Sequence, residues 1–190
     1  MLITAADVTP QYFKVGINAK ISFPKNWVVK LDNSVDTMVV FNRELDSGVW
    51  RFTAGARKLK LQFGIGIVDS KFPDIPHPYD QYSARNNNTI CCIGSVPFIK
   101  GVAKYGAGCR EIKQGDEVCA IVDLQSNPRT FCLEINREIQ PFYMMNIPSR
   151  LKFTFIFSSN QDEWEFVALE ELSHEIDLSR IDERRRFKYE

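Results

Sequence analysis

A chain of 190 residues is long enough for one domain with a sizeable core. Its 24 lysines and arginines balance its 24 aspartates and glutamates, so no net field draws it to nucleic acid or to an anionic membrane. The opening Met1-Leu2-Ile3-Thr4-Ala5-Ala6-Asp7 has no basic segment followed by an apolar one, and no apolar run is long enough to span a bilayer. The expectation is a soluble, cytoplasmic, monomeric protein.

The dominant period is two. Phe13, Val15, Ile17, Ala19, Ile21 and Phe23 alternate with Lys14, Gly16, Asn18, Lys20 and Ser22, which predicts one long strand with a buried face. The turn signals Pro24-Lys25-Asn26 and Leu31-Asp32-Asn33-Ser34 follow. Met38–Phe41, Val49–Phe52, Ile90–Ile93 and Val118–Leu124 are apolar on both faces and read as inner strands. Leu59, Leu61, Phe63, Ile65 and Ile67 again alternate with polar or small residues. So do Phe131, Leu133 and Ile135, then Leu151, Phe153, Phe155 and Phe157, then Trp164, Phe166 and Ala168. Trp50 and Trp164 fall in phase with the apolar sets and are expected in the core. Gln125-Ser126-Asn127-Pro128 predicts a hairpin. Gly64 and Gly66 predict close approach of a neighbouring backbone or a bulky ring. Such short strands, with almost no helical period, predict an antiparallel β-sandwich.

Two stretches read as long loops: Asp69 to Thr89 and Gly94 to Gly115. From Leu169 the chain becomes charged. Leu169, Leu172 and Ile176 fall at helical spacing, and Ser179 with Asp182 resembles a capping box, so a domain over 1–168 and a helix-prone extension over 169–190 are expected.

Catalytic and metal signatures are thin. The histidines are His77 and His174, and neither belongs to a zinc-ligand spacing. Asp69, Asp74, Asp80 and Asn86 fit no calcium loop. Cys91, Cys92, Cys109, Cys119 and Cys132 read as reduced core thiols. Gly106-Ala107-Gly108 lacks the third glycine and the βα setting of a dinucleotide site. Glu175-Ile176-Asp177 begins like a glycosidase carboxylate strand, but Arg180 stands where the second outer carboxylate belongs. Arg184-Arg185-Arg186 is diluted by Asp182 and Glu183. The expectation is a non-enzyme with no cofactor, no metal and no nucleic-acid or membrane partner.

Four segments together resemble a SPRY domain. They are Gly48-Val49-Trp50-Arg51-Phe52, Phe63-Gly64-Ile65-Gly66-Ile67-Val68, the run from Gly115-Asp116 through Val118 to Asp123-Leu124, and Thr130-Phe131-Cys132-Leu133-Glu134-Ile135-Asn136. Arg51 stands where the family carries an acidic residue, and Arg137 where a glycine follows the asparagine. The resemblance implies an all-β, bent antiparallel sandwich of the jelly-roll kind, serving as a protein-interaction module in a scaffold or adaptor. Its peptide or protein ligand would sit on loops at one edge. Here those loops are Gly55-Ala56-Arg57-Lys58, Gly94 through Tyr105, and Ser158 through Asp162, with Arg57, Lys58, Tyr105, Ser159 and Asn160 as contacts. Tyr79, Tyr82 and Arg85 on the long insertion form a second candidate set. The alternative is a lectin-like sandwich that binds a small molecule or carbohydrate.

Overall fold

A computed structural model describes residues 1–33, 36–60, 63–72, 74–75, 78–80, 82 and 88–189. The chain runs through β1 (Leu2–Thr4), β2 (Phe13–Val15), β3 (Ile21–Lys25), β4 (Val28–Leu31), β5 (Thr37–Phe41), β6 (Val49–Lys58), β7 (Gly64–Asp69) and β8 (Thr89–Ile93). It continues through β9 (Val96–Ile99), β10 (Val102–Ala103), β11 (Glu117–Asp123), β12 (Thr130–Ile135), β13 (Glu138–Met145), β14 (Leu151–Phe157), β15 (Glu163–Leu172) and β16 (Arg186–Lys188). Among the described residues, the larger sheet has nine strands in the order β16-β13-β12-β11-β6-β15-β4-β3, with β1 added along β15. The smaller has seven, in the order β10-β9-β8-β7-β14-β5-β2.

Period-two alternation sends one side of each sheet into a shared core. Phe52 and Ala54 of β6 and Trp164 and Phe166 of β15 meet Phe153 and Phe155 of β14 and Phe41 of β5. The rings stack in sequence: Phe41 on Phe166 at 4.9 Å, Phe52 on Phe153 at 4.8 Å, Phe155 on Trp164 at 5.3 Å. Trp164 is fully buried, and its indole donates to the Ile156 carbonyl at 3.3 Å, so the core contains no orphaned donor there. β5 and β8 are buried on both faces, as their continuous apolar runs predict. A Cβ on Gly66 would run into the backbone carbonyl of Ile90, which explains the glycine in β7.

The hairpin after β11 is organised by Asp123. Its carboxylate accepts from the amides of Gln125 and Ser126, each at 2.9 Å, and from the Ser126 hydroxyl at 2.6 Å. The β12–β13 turn carries Asn136 and Arg137 at φ 50° and 69°, the two left-handed residues a tight hairpin needs. Arg137 therefore adopts the glycine-like conformation with a side chain.

Several expectations are corrected. The long first strand is two: β2 lies in one sheet and β3 in the other. Asn18 at φ 70° ends the extended run and leaves Ile17 84% exposed. Gly55-Ala56-Arg57-Lys58 is not a hairpin but the end of β6, with Gly55 paired to Glu117 and Glu165. The stretch after Gly94 is not one long loop, since β9 and β10 form a hairpin within it. The expected boundary at residue 168 falls inside β15, which continues to Leu172.

Among the described residues the C-terminal segment holds no α-helix. Leu172, Ile176 and Leu178 cover Cys119, Ile121 and Cys132 on the outer face of the larger sheet. Asp182 does cap, accepting from the Arg184 amide, but it starts a single 3-10 turn over Glu183–Arg185. β16 then pairs parallel with β13, and Tyr189 reaches the main core. All five cysteines are free and buried.

Candidate functional site

The predicted contact residues divide between two places. At one end of the larger sheet, Arg57 donates to Glu165 Oε2 at 3.0 Å, while the Trp27 indole donates to Glu165 Oε1 at 3.1 Å. Lys58 donates to Gln161 at 3.2 Å. The Ser158–Asp162 loop beside them is tied from within. Asp162 is fully buried and accepts from the amides of Ser159 and Lys60, both at 2.9 Å. Burial raises its pKa, and hydrogen bonds from Lys60, Ser159 and Ser158 offset part of that rise. Ser159 is itself buried, and Asn160 is half-buried.

The same end holds a second buried carboxylate, Asp116, within the family-like motif. It accepts from Arg110 at 2.9 Å, the Lys113 amide at 2.7 Å and the Asn136 side chain at 2.8 Å. Burial pushes its pKa up, but these three bonds outweigh that and leave it lowered. Asp116 and Asn136 therefore lock two turns together, a structural task.

Tyr105 belongs elsewhere. It follows β10 at the edge of the smaller sheet and is 74% exposed. Its neighbour is Tyr82, which is 58% exposed. The Tyr82 ring stands edge-on to the buried Phe98 of β9, with 5.4 Å between centroids. The neighbouring Tyr105 phenol and partial burial raise the Tyr82 phenol above its ordinary pKa. The fold thus joins one residue from each of the two predicted sets.

Tyr79 must be withdrawn as a surface contact. It is 1% exposed, its hydroxyl lies 3.2 Å from Cys91 Sγ, and it pins the segment before β8 to the outer face of the smaller sheet. Arg85 lies outside the described residues. Among the described residues no group of three or more His, Cys, Asp or Glu could hold a metal ion. Among the described residues no helix is long and apolar enough to cross a membrane.

Sequence reasoning missed a cavity of about 330 Å³ between the smaller sheet and the segment that crosses it. Lys14, Asn42, Asp69 and Lys152 come from or follow four strands, and Phe72 and Asp74 lie beyond β7. No local spacing announces residues so dispersed. The exposed Phe72, in a loop rich in turn residues, was the single available signal.

The sandwich is shared with proteins of known structure. No protein-family model matches the chain, and no curated protein matches its sequence. Among solved structures, the SPRY domain of human HERC1 superposes with a TM-score of 0.60 at 10% identity, covering 87% of this chain and 98% of that one. The carbohydrate recognition domain of Emp46p gives 0.55 at 8% identity, covering 88% and 90%. The carbohydrate binding module CBM66 from Bacillus subtilis gives 0.52 at 8% identity, covering 87% and 98%. At such identities the likeness establishes the fold: a two-sheet sandwich of the SPRY and carbohydrate-module kind.

Proposed function

We propose that the chain is a non-catalytic module that binds a peptide or protein surface through Tyr82 and Tyr105. The fold admits a protein or a sugar as ligand, so the choice rests on the surface. The observation that carries the reading is this pair of neighbouring exposed tyrosines, with Tyr82 backed by Phe98. Tyrosines of this kind are common interface anchors, because they bring large contact area and a polar tip. The Phe98 support restricts the Tyr82 rotamers before binding, which lowers the ordering cost of association. Arg57 is a weaker candidate, because its guanidinium is already held by Glu165. The SPRY resemblance of the Gly115–Asn136 motifs adds support for partner binding. The test is affinity capture from the native cell with the parent chain, Tyr105→Ala and Arg57→Ala. Loss of a specific partner in Tyr105→Ala with retention in Arg57→Ala is expected. The reverse pattern would refute the reading.

A further inference from the structure

The segment that carries Tyr79 lies across the outer face of the smaller sheet, and the cavity beside it has a mixed lining. Val40 of β5 and Val68 of β7 face Ile75 across it, and Phe72, 53% exposed, stands at its mouth. Around this apolar interior are Lys14, Asn42, Asp69, Ser70, Asp74 and Lys152. Its volume of about 330 Å³ is at the small end for ligand pockets.

Among the described lining residues the charges cancel. Two ammonium groups oppose two carboxylates, and neither lysine is ion-paired with either aspartate among the described residues. Lys152 instead donates to Asn42 Oδ1 at 3.0 Å, which leaves the Asn42 amide hydrogens available. Asp69 is more than nine-tenths buried, and its Oδ1 accepts from the Lys71 amide at 2.9 Å. Donors and acceptors are therefore both presented, from several directions, around an apolar interior.

We propose that this cavity binds a neutral sugar of one or two rings. An anion or a cation would meet repulsion from one half of the lining as well as attraction from the other. A hydroxyl both donates and accepts, so it can pair with carboxylate, amide or ammonium alike. A ligand with many hydroxyls can serve several such groups at once. The C–H face of a sugar ring suits Phe72 and the valine floor. None of the cavity residues belongs to the Tyr82–Tyr105 pair, so this site stands independently of the proposed partner surface.

The test is an NMR titration of the full chain with a panel of neutral mono- and disaccharides. Glycine and glutamate serve as zwitterionic and anionic probes. The parent, Phe72→Ala, Asn42→Ala and Tyr105→Ala are compared, with melting temperatures as a fold control. At least one sugar should shift cavity resonances with a Kd of roughly millimolar, the range expected of few contacts. Phe72→Ala should weaken it at least about tenfold, Asn42→Ala should weaken it too, and Tyr105→Ala should leave it unchanged. The proposal fails if no sugar in the panel perturbs the cavity, or if glycine or glutamate binds there in preference. It also fails if both cavity variants bind like the parent.

Discussion

Tyr82 and Tyr105 are neighbours at the edge of the smaller sheet although one lies in the insertion between β7 and β8 and the other follows β10. Phe98 of β9 makes the meeting possible, because its ring supports Tyr82 while its strand pairs with β10. Two loops become one surface through a single buried phenylalanine.

The pair should contribute to binding rather than to folding. Tyr105→Ala removes an exposed side chain, so its melting temperature should stay near that of the parent, within about 0.5 kcal/mol of stability. Affinity for a captured partner should fall by about 2 kcal/mol, roughly thirtyfold. Calorimetric titration alongside thermal melts separates the two effects.

Phe153→Ala should have the opposite profile. Phe153 is fully buried and stacks on Phe52 across the two sheets. Its truncation should cost about 3–5 kcal/mol, a large share of the stability of a domain this size. Urea denaturation of parent and variant measures the difference, and a loss below about 1 kcal/mol would mean the stack is not central to the core.

Acid should weaken the fold partly through Asp116. Its pKa is lowered in the folded chain, where hydrogen bonds from Arg110, Lys113 and Asn136 outweigh the cost of burial. The folded state then holds this proton less tightly than the unfolded one. The resulting stability is complete above the ordinary carboxylate range, near pH ~4, and is lost as pH falls through the lowered folded value. Melting curves between neutral and strongly acid pH should fall more steeply for the parent than for Asp116→Asn. Parallel curves would deny Asp116 this role.

The thiols should be silent while the protein is folded. Burial pushes Cys91, Cys119 and Cys132 up to about 12, so little reactive thiolate exists at neutral pH. A thiol reagent should label the native chain slowly and the unfolded chain fully. Leu178→Asp should speed labelling of Cys119 and Cys132, because Leu178 belongs to the cover over them. Equal labelling of parent and variant would show that the C-terminal segment does not seal that face.

The strands easiest to read in the sequence were those whose two faces differ or are both apolar. Trp164, Phe166 and the β5 and β11 runs went where alternation and composition put them. Ile17 did not, because period two says nothing about where a chain changes sheets, and one left-handed residue, Asn18, made the change. The C-terminal segment misled for a different reason. Its helical spacing was real, but Leu172, Ile176 and Leu178 found their partners on a sheet formed by distant strands, and β16 completed its hydrogen bonds on β13. The site was legible as residues and not as a place. Tyr82 and Tyr105 were both candidates, yet the contact between them depends on Phe98, inside a stretch that read as loop.

The most direct test of the partner surface is site-specific photo-cross-linking of the full chain in its native cell. A photoreactive phenylalanine analogue replaces Tyr82, Tyr105 or Asn160, one at a time. The expected result is one common protein cross-linked from positions 82 and 105, not from 160, whose capture by the otherwise native chain falls in Tyr82→Ala and Tyr105→Ala. Cross-linking from position 160 alone, with capture undiminished in the Tyr82→Ala/Tyr105→Ala double variant, would contradict the assignment of this surface.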